Sequence, residues 1–134
     1  MDKQQAYDKL WNSFGILAFE ENSVPDDETI QALINSGYAS SKYPYITYQV
    51  LVDDLDSPVF PMAKLWDRNT SWTRIDAKLA EISRYIEDMS PIKLDEGYLY
   101  ATKGQPWGQR TSDPDDKAVI GYILNLGVEF LTKY

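Results

Sequence analysis

The chain has no histidine and no cysteine among its 134 residues. These two absences remove most familiar catalytic and metal chemistry. No Ser-His-Asp or Cys-His nucleophile system can be assembled, nor a histidine proton shuttle. Thiolate zinc sites, iron–sulfur clusters and disulfide frameworks are excluded as well. Long apolar runs are also missing. The longest apolar region, 118–131, is broken by Gly121, Asn125, Gly127 and Glu129, well short of the roughly 18 residues of a membrane-spanning helix. Positive charge is scarce: 13 Lys+Arg stand against 21 Asp+Glu, a formal charge of −8. That balance argues against a simple electrostatic nucleic-acid binder. The first residues are polar and carry no signal-peptide block. The expectation is a soluble, cytoplasmically made single domain, 1–134, large enough to bury a proper core.

Hydrophobic periodicity supplies the elements. Residues 2–14 read as a helix with Ala6 or Tyr7, Leu10, Trp11 and Phe14 on one face and Gly15 as its stop. A short strand over 16–19 follows. Then comes a polar loop, and a short helix over 28–36 ending at Gly37. Residues 45–54 alternate, with Ile46, Tyr48, Val50 and Val52 on one face, so they predict a half-buried strand. A second strand over 59–67, weakened by Pro61, is expected to complete an antiparallel hairpin. Residues 71–88 form the strongest helix, with an apolar stripe of Trp72, Ile75, Leu79, Ile82 and Ile86. Thr73 with Asp76 fits a capping box, with Ser71 as a rival cap. Residues 92–103 read as extended, interrupted at Asp95-Glu96-Gly97. Residues 104–117 read as a loop. In 118–132 the seven even positions from Ala118 to Phe130 are all apolar, which marks a long strand with a definite core face. Gly121 and Gly127 on its other face imply a close backbone approach. The fold class that follows is α+β. It comprises an antiparallel sheet of strands of mixed length with a β-β-α-β-β core, a long helix across one face and an N-terminal helix.

Carboxylates are the only plentiful catalytic group. They cluster as Glu20/Glu21, Asp26/Asp27/Glu28, Asp53/Asp54/Asp56 and Asp113/Asp115/Asp116. A carboxylate hydrolase needs two acids facing each other in unequal environments. These lie in stretches whose composition predicts solvated turns. Asp113-Pro114-Asp115-Asp116 lacks the glycine-centred twelve-residue spacing and closing Glu of a calcium loop. Gly104-Gln105-Pro106-Trp107-Gly108 lacks the Lys-Ser/Thr ending of a phosphate loop. Its Trp107 has two open readings: folding back onto the core, or anchoring a partner. The 10 Tyr, 4 Trp and 4 Phe exceed what one small core absorbs, and Tyr and Trp enrichment is common at protein interfaces.

An ordered series of strings resembles one family. Leu10-Trp11-Asn12-Ser13-Phe14-Gly15-Ile16, Glu21-Asn22-Ser23-Val24-Pro25-Asp26-Asp27 and Tyr43-Pro44-Tyr45-Ile46-Thr47-Tyr48 are similar to the first half of tail-completion proteins of siphophages and prophages, the tail terminator or tail-to-head joining group. Leu65-Trp66 before Asn69-Thr70-Ser71-Trp72 continues the series. Gly97-Tyr98-Leu99-Tyr100 leading to Gly104-Gln105-Pro106-Trp107-Gly108-Gln109 follows. Asp113-Pro114-Asp115-Asp116-Lys117 and Asn125-Leu126-Gly127-Val128-Glu129-Phe130 close it. Residues 28–42 look like an insertion. The resemblance implies a non-enzymatic virion protein with no cofactor. Such a protein forms a homo-oligomeric ring, commonly a hexamer. The ring caps the major tail tube protein, stops its polymerisation and meets the head-completion or connector protein, while DNA passes through without specific binding. On that reading Asp53, Asp54, Asp56, Asp113, Asp115 and Asp116 are expected at the pore or its rims, where like charge repels phosphate. Trp107, Gln109 and Tyr134 are expected at subunit or tube contacts. Rival readings are a head-completion adaptor of the same virion, an acidic DNA mimic and a small carboxylate hydrolase. Glu129, the clearest hydrolase candidate, falls by parity on the face opposite the core.

Overall fold

The structure, a computed structural model, describes residues 2–52, 58–95 and 97–132. Helix α1, Lys3–Trp11, begins at a true capping box. The Asp2 side chain accepts the Gln5 N–H at 2.8 Å, and the Gln5 side chain accepts the Asp2 N–H at 2.9 Å, so two orphan donors are satisfied reciprocally. A 3-10 turn, Asn12–Phe14, carries the chain to Gly15 at φ 69°, the left-handed position that favours glycine. Strand β1, Leu17–Glu20, follows. Helix α2, Asp27–Asn35, is capped by Asp26, whose carboxylate accepts the Thr29 N–H at 2.8 Å. Next come β2, Tyr45–Tyr48, β3, Pro58–Val59, and β4, Met62–Arg68. The rest of the chain is α3, Thr73–Asp88, β5, Ile92–Lys93, β6, Gly97–Ser112, and β7, Val119–Thr132.

Among the described residues the strands form one sheet in the order β1-β2-β4-β7-β6-β5, with β3 also pairing β7. The chain is thus a mixed α+β fold. Two parts of the expected arrangement are corrected. The sheet is not purely antiparallel, because β1 runs parallel to β2, Leu17 opposite Tyr45 through Glu20 opposite Tyr48. A parallel pair needs a long crossover, and 21–44, including α2, supplies it. The stretch 28–42 therefore sits inside that crossover. The β-β-α-β-β order also matches only in part, since β7 pairs with β3, β4 and β6 and forms the centre of the sheet.

Other expectations shift locally. The strand expected over 45–54 ends at Tyr48, and Val52 is 59% exposed rather than in the core. The expected strand over 59–67 divides at Phe60-Pro61, because proline cannot donate to the ladder. The Thr73–Asp76 capping box is absent. Asp76 instead accepts from Tyr122 Oη at 2.5 Å, and Ser71 Oγ accepts the Thr73 N–H at 3.2 Å. The loop expected over 104–117 is largely strand, because β6 continues to Ser112. Pairing shifts from Lys103 opposite Leu126 to Gly108 opposite Leu124, so 104–107 face Asn125 alone. This wide bulge absorbs the glycines and Pro106 without ending the strand. Asn125 Nδ2 ties it by donating to the Pro106 carbonyl at 2.8 Å.

Helices α1 and α3 pack on the same face. Tyr7, Leu10, Trp11, Ile75, Ile82 and Ile86 join Leu65 of β4, Leu99 of β6 and the even residues 122–130 of β7 in one buried cluster. Tyr7 meets Phe130 edge-on at 6.2 Å, and Trp11 stacks on Tyr48 at 6.1 Å. The remaining expected even positions differ: Ile120 is half-buried and Ala118 precedes the strand, exposed.

Candidate interaction surface

Helices α1 and α3 do not cover the second face of the sheet, although Leu17 and Val119, which lie on it by register, are buried. Strand alternation puts Trp66 of β4, Tyr98 and Tyr100 of β6, and Ile123 and Leu131 of β7 on it, all half-buried. Phe60 and Met62, 72% and 40% exposed, extend the apolar surface. Gly121 and Gly127 lie on this face as their parity requires. A Cβ at Gly127 would stand 3.1 Å from Thr102 Oγ1 and 3.9 Å from the Phe60 ring. Lys64 Nζ lies 5.9 Å from the Trp66 ring, a cation over an aromatic face. Glu129 is exposed on this face, as its parity predicts.

Asp113, Asp115 and Asp116 come together in the β6–β7 turn. Asp113 accepts the Asp115 N–H at 2.8 Å, and Asp116 accepts the Ala118 N–H at 3.1 Å. Asp116 also pairs with Arg68 from the end of β4. The Arg68 guanidinium and the Ala118 N–H hold its carboxyl below the usual carboxylate range. The turn is solvated but built, and one of its three charges is offset. Beside it, burial pushes the Tyr45 phenol up to about 12, helped by Tyr43, Asp113 and Asp27.

Trp107 and Gln109 share β6 but not a side. Gln109 pairs with Ile123 and is exposed on the open face. Trp107 is half-buried and packs against the core, with Lys103 Nζ 6.0 Å from its ring. Its indole Nε1 is buried without a hydrogen-bond acceptor among the described residues. Asp53, Asp54, Asp56 and Tyr134 lie outside the described residues.

Two polar clusters escaped the sequence reading. Asp67 is fully buried, and it is the only charged side chain so placed among the described residues. Arg74 grips it with two bonds, Nε donating at 2.9 Å and Nη2 closer, and the Arg68 N–H donates at 2.9 Å. The signal was available, because Asp67 shares strand parity with Ala63 and Leu65. In the second cluster Arg110 lies 4.1 Å above the Trp72 ring and donates to Tyr122 Oη at 3.2 Å. Tyr122 in turn donates to Asp76. Both clusters tie the start of α3 to the sheet.

Cavities elsewhere are open grooves. One of about 650 Å³ lies at the end of α3, lined by Lys9, Arg84, Tyr85, Met89 and Lys93. Another of about 670 Å³ contains Asp8, Glu20 and Tyr48. There the Tyr48 hydroxyl donates to Asp8, and burial followed by that carboxylate raises the phenol's pKa. Among the described residues, no helix is long and apolar enough to cross a membrane, and no group of three or more acidic side chains is placed to hold a metal ion. Comparison of the sequence with protein-family models finds no match, and comparison with curated proteins finds none.

Proposed function

We propose that this chain is a non-enzymatic structural protein of a phage tail. It forms a ring that caps the tail tube, ends its polymerisation and joins it to the head connector while DNA passes through. The ordered series of tail-terminator-like strings along nearly the whole chain carries the reading. The structural feature in its favour is the open sheet face, where Trp66, Tyr98, Tyr100, Ile123 and Leu131 stay half-buried and Phe60 stands out. Aromatic and aliphatic side chains left partly exposed on a sheet face suit a protein partner. In the ring, Asp113, Asp115 and Asp116 line the pore or its rim, and their net negative charge keeps phosphate from sticking.

Electron microscopy of particles made without the protein tests this. Overlong tails unjoined to heads are expected. Tails of normal length lying free beside filled heads would favour the adaptor reading. Normal joined tails would refute both.

A further inference from the structure

Among the described residues the sheet ends in two unpaired edges. Among the described residues β1 pairs only with β2, so its outer side has no strand partner. On the other side, β5 pairs with β6 only at Tyr98 and Leu99, which leaves the side of 100–112 away from β7 unpaired. An unpaired edge presents N–H and C=O groups at strand spacing and is a template for another strand.

The β1 edge is shaped to receive one. A groove of about 480 Å³ is lined by Gly15, Ile16, Ala18 and Phe19 on the strand side and by Leu33 and Tyr38 on the α2 side. Ala18 and Phe19 point to opposite faces of β1, so a cavity touching both lies along the strand's edge. Tyr38, at 69% exposed, is apolar surface that an added strand would cover. A strand edge beside a helix wall is the geometry of strand addition.

Charge argues against one occupant and permits another. Residues 17–28 hold Glu20, Glu21, Asp26, Asp27 and Glu28 and no Lys or Arg, with only Asp27 drawn to Lys42. Two such edges repel each other, so β1 does not pair with its own copy. The free stretch of β6, 100–112, carries Lys103 and Arg110 and no acid. Those two cations already meet Glu87 and Asp76, so this edge is close to neutral and brings no repulsion.

We propose that copies of this chain associate head to tail, the outer edge of β6 in one copy adding to the β1 edge of the next. Such an interface uses two different surfaces, and it generates a closed ring when the rotation closes. It deepens the ring reading, from which it takes only that copies associate.

The absence of cysteine makes the test clean. Glu21→Cys and Gln109→Cys are both at exposed positions and are prepared in the full chain, singly and together. A short bismaleimide linker then reports proximity. Each single variant alone is expected to stay uncross-linked. A mixture of the two should give a 1:1 dimer, and the double variant a ladder ending in one closed species. Dimers from Gln109→Cys alone, or no cross-linking of the double variant at the highest soluble concentration, would overturn the proposal. Normal joined tails in particles lacking the protein, beside efficient mixed cross-linking, would overturn the tail reading and leave the edge pairing standing.

Discussion

Gly121 of β7 lies against the Trp66 indole of β4. A Cβ built on Gly121 would stand 2.8 Å from Trp66 Cε3 and 2.9 Å from the Leu65 carbonyl oxygen. The indole has space on the open face, but the carbonyl belongs to a paired strand and has none. Gly121→Ala is therefore expected to destabilise the fold by about 1–3 kcal/mol, the usual cost of overpacking. Adding Trp66→Ala should restore only part of that loss, because the carbonyl contact remains. Urea denaturation of both variants checks this through the shift in midpoint at constant slope.

Asp67 bears on how α3 is fixed to the sheet. Its carboxylate accepts from Arg74 and from the Arg68 N–H in a site closed to water. Asp67→Asn keeps the shape but removes the charge and turns one acceptor into a donor facing Arg74. A loss of about 2 kcal/mol is expected, in the range for hydrogen bonds to charged groups. The half-exposed Arg74 keeps it below the cost of breaking a fully buried pair. Hydrogen exchange should show the change first in the opening turn of α3, where Arg74 sits.

Periodicity revealed those elements whose cause is local. In β7 a single buried face forces Tyr122, Leu124, Leu126, Val128 and Phe130 inward, so alternation alone identifies strand and core face. In α3 the stripe through Ile75, Ile82 and Ile86 works in the same way. What alternation cannot show is which strand lies beside which. The parallel β1–β2 pair depends on a crossover spanning 21–44, and its direction leaves no mark on either strand's pattern. The stretch 104–107 misled for another reason. Gly104 and Pro106 are loop residues by composition, yet here they form a bulge held by Asn125 from the facing strand. The candidate surface was legible in outline through its surplus of Tyr and Trp. Its edges and its acid-free β6 side required the strand order.

Acid should weaken the fold within a defined window. Asp26, Asp116 and Glu87 all have carboxyls held below their ordinary values, by the Thr29 N–H, by Arg68 and by Lys103 respectively. For a lowered carboxyl the unfolded chain binds more protons, so the stability it contributes is present above the unfolded value near 4 and is lost as pH falls through the folded value. Tyr45, raised to about 12, acts at the other end. Its contribution is complete below the ordinary tyrosine value near 10 and is lost as pH rises towards 12. Thermal unfolding measured across pH should give a plateau between these limits. Asp116→Asn should reduce but not remove the acid limb, since Asp26 and Glu87 remain, and Tyr45→Phe should likewise reduce the alkaline one, since Tyr7, Tyr48 and Tyr122 are also raised.

Trp107 offers the sharpest separation of packing from hydrogen bonding. Its ring is part of the packed layer beside Lys103, but its Nε1–H is buried with no acceptor among the described residues. A buried donor without a partner costs about 1–3 kcal/mol in lost hydration. Trp107→Phe removes that donor and keeps most of the ring, so the recovered desolvation offsets the smaller apolar area and the weaker cation contact. Stability within about 0.5 kcal/mol of the parent chain is expected, whereas Trp107→Ala should cost about 3 kcal/mol through the cavity it leaves. Denaturation midpoints of the two variants make the comparison. A loss for Trp107→Phe as large as that for Trp107→Ala would mean that the indole N–H has an acceptor after all.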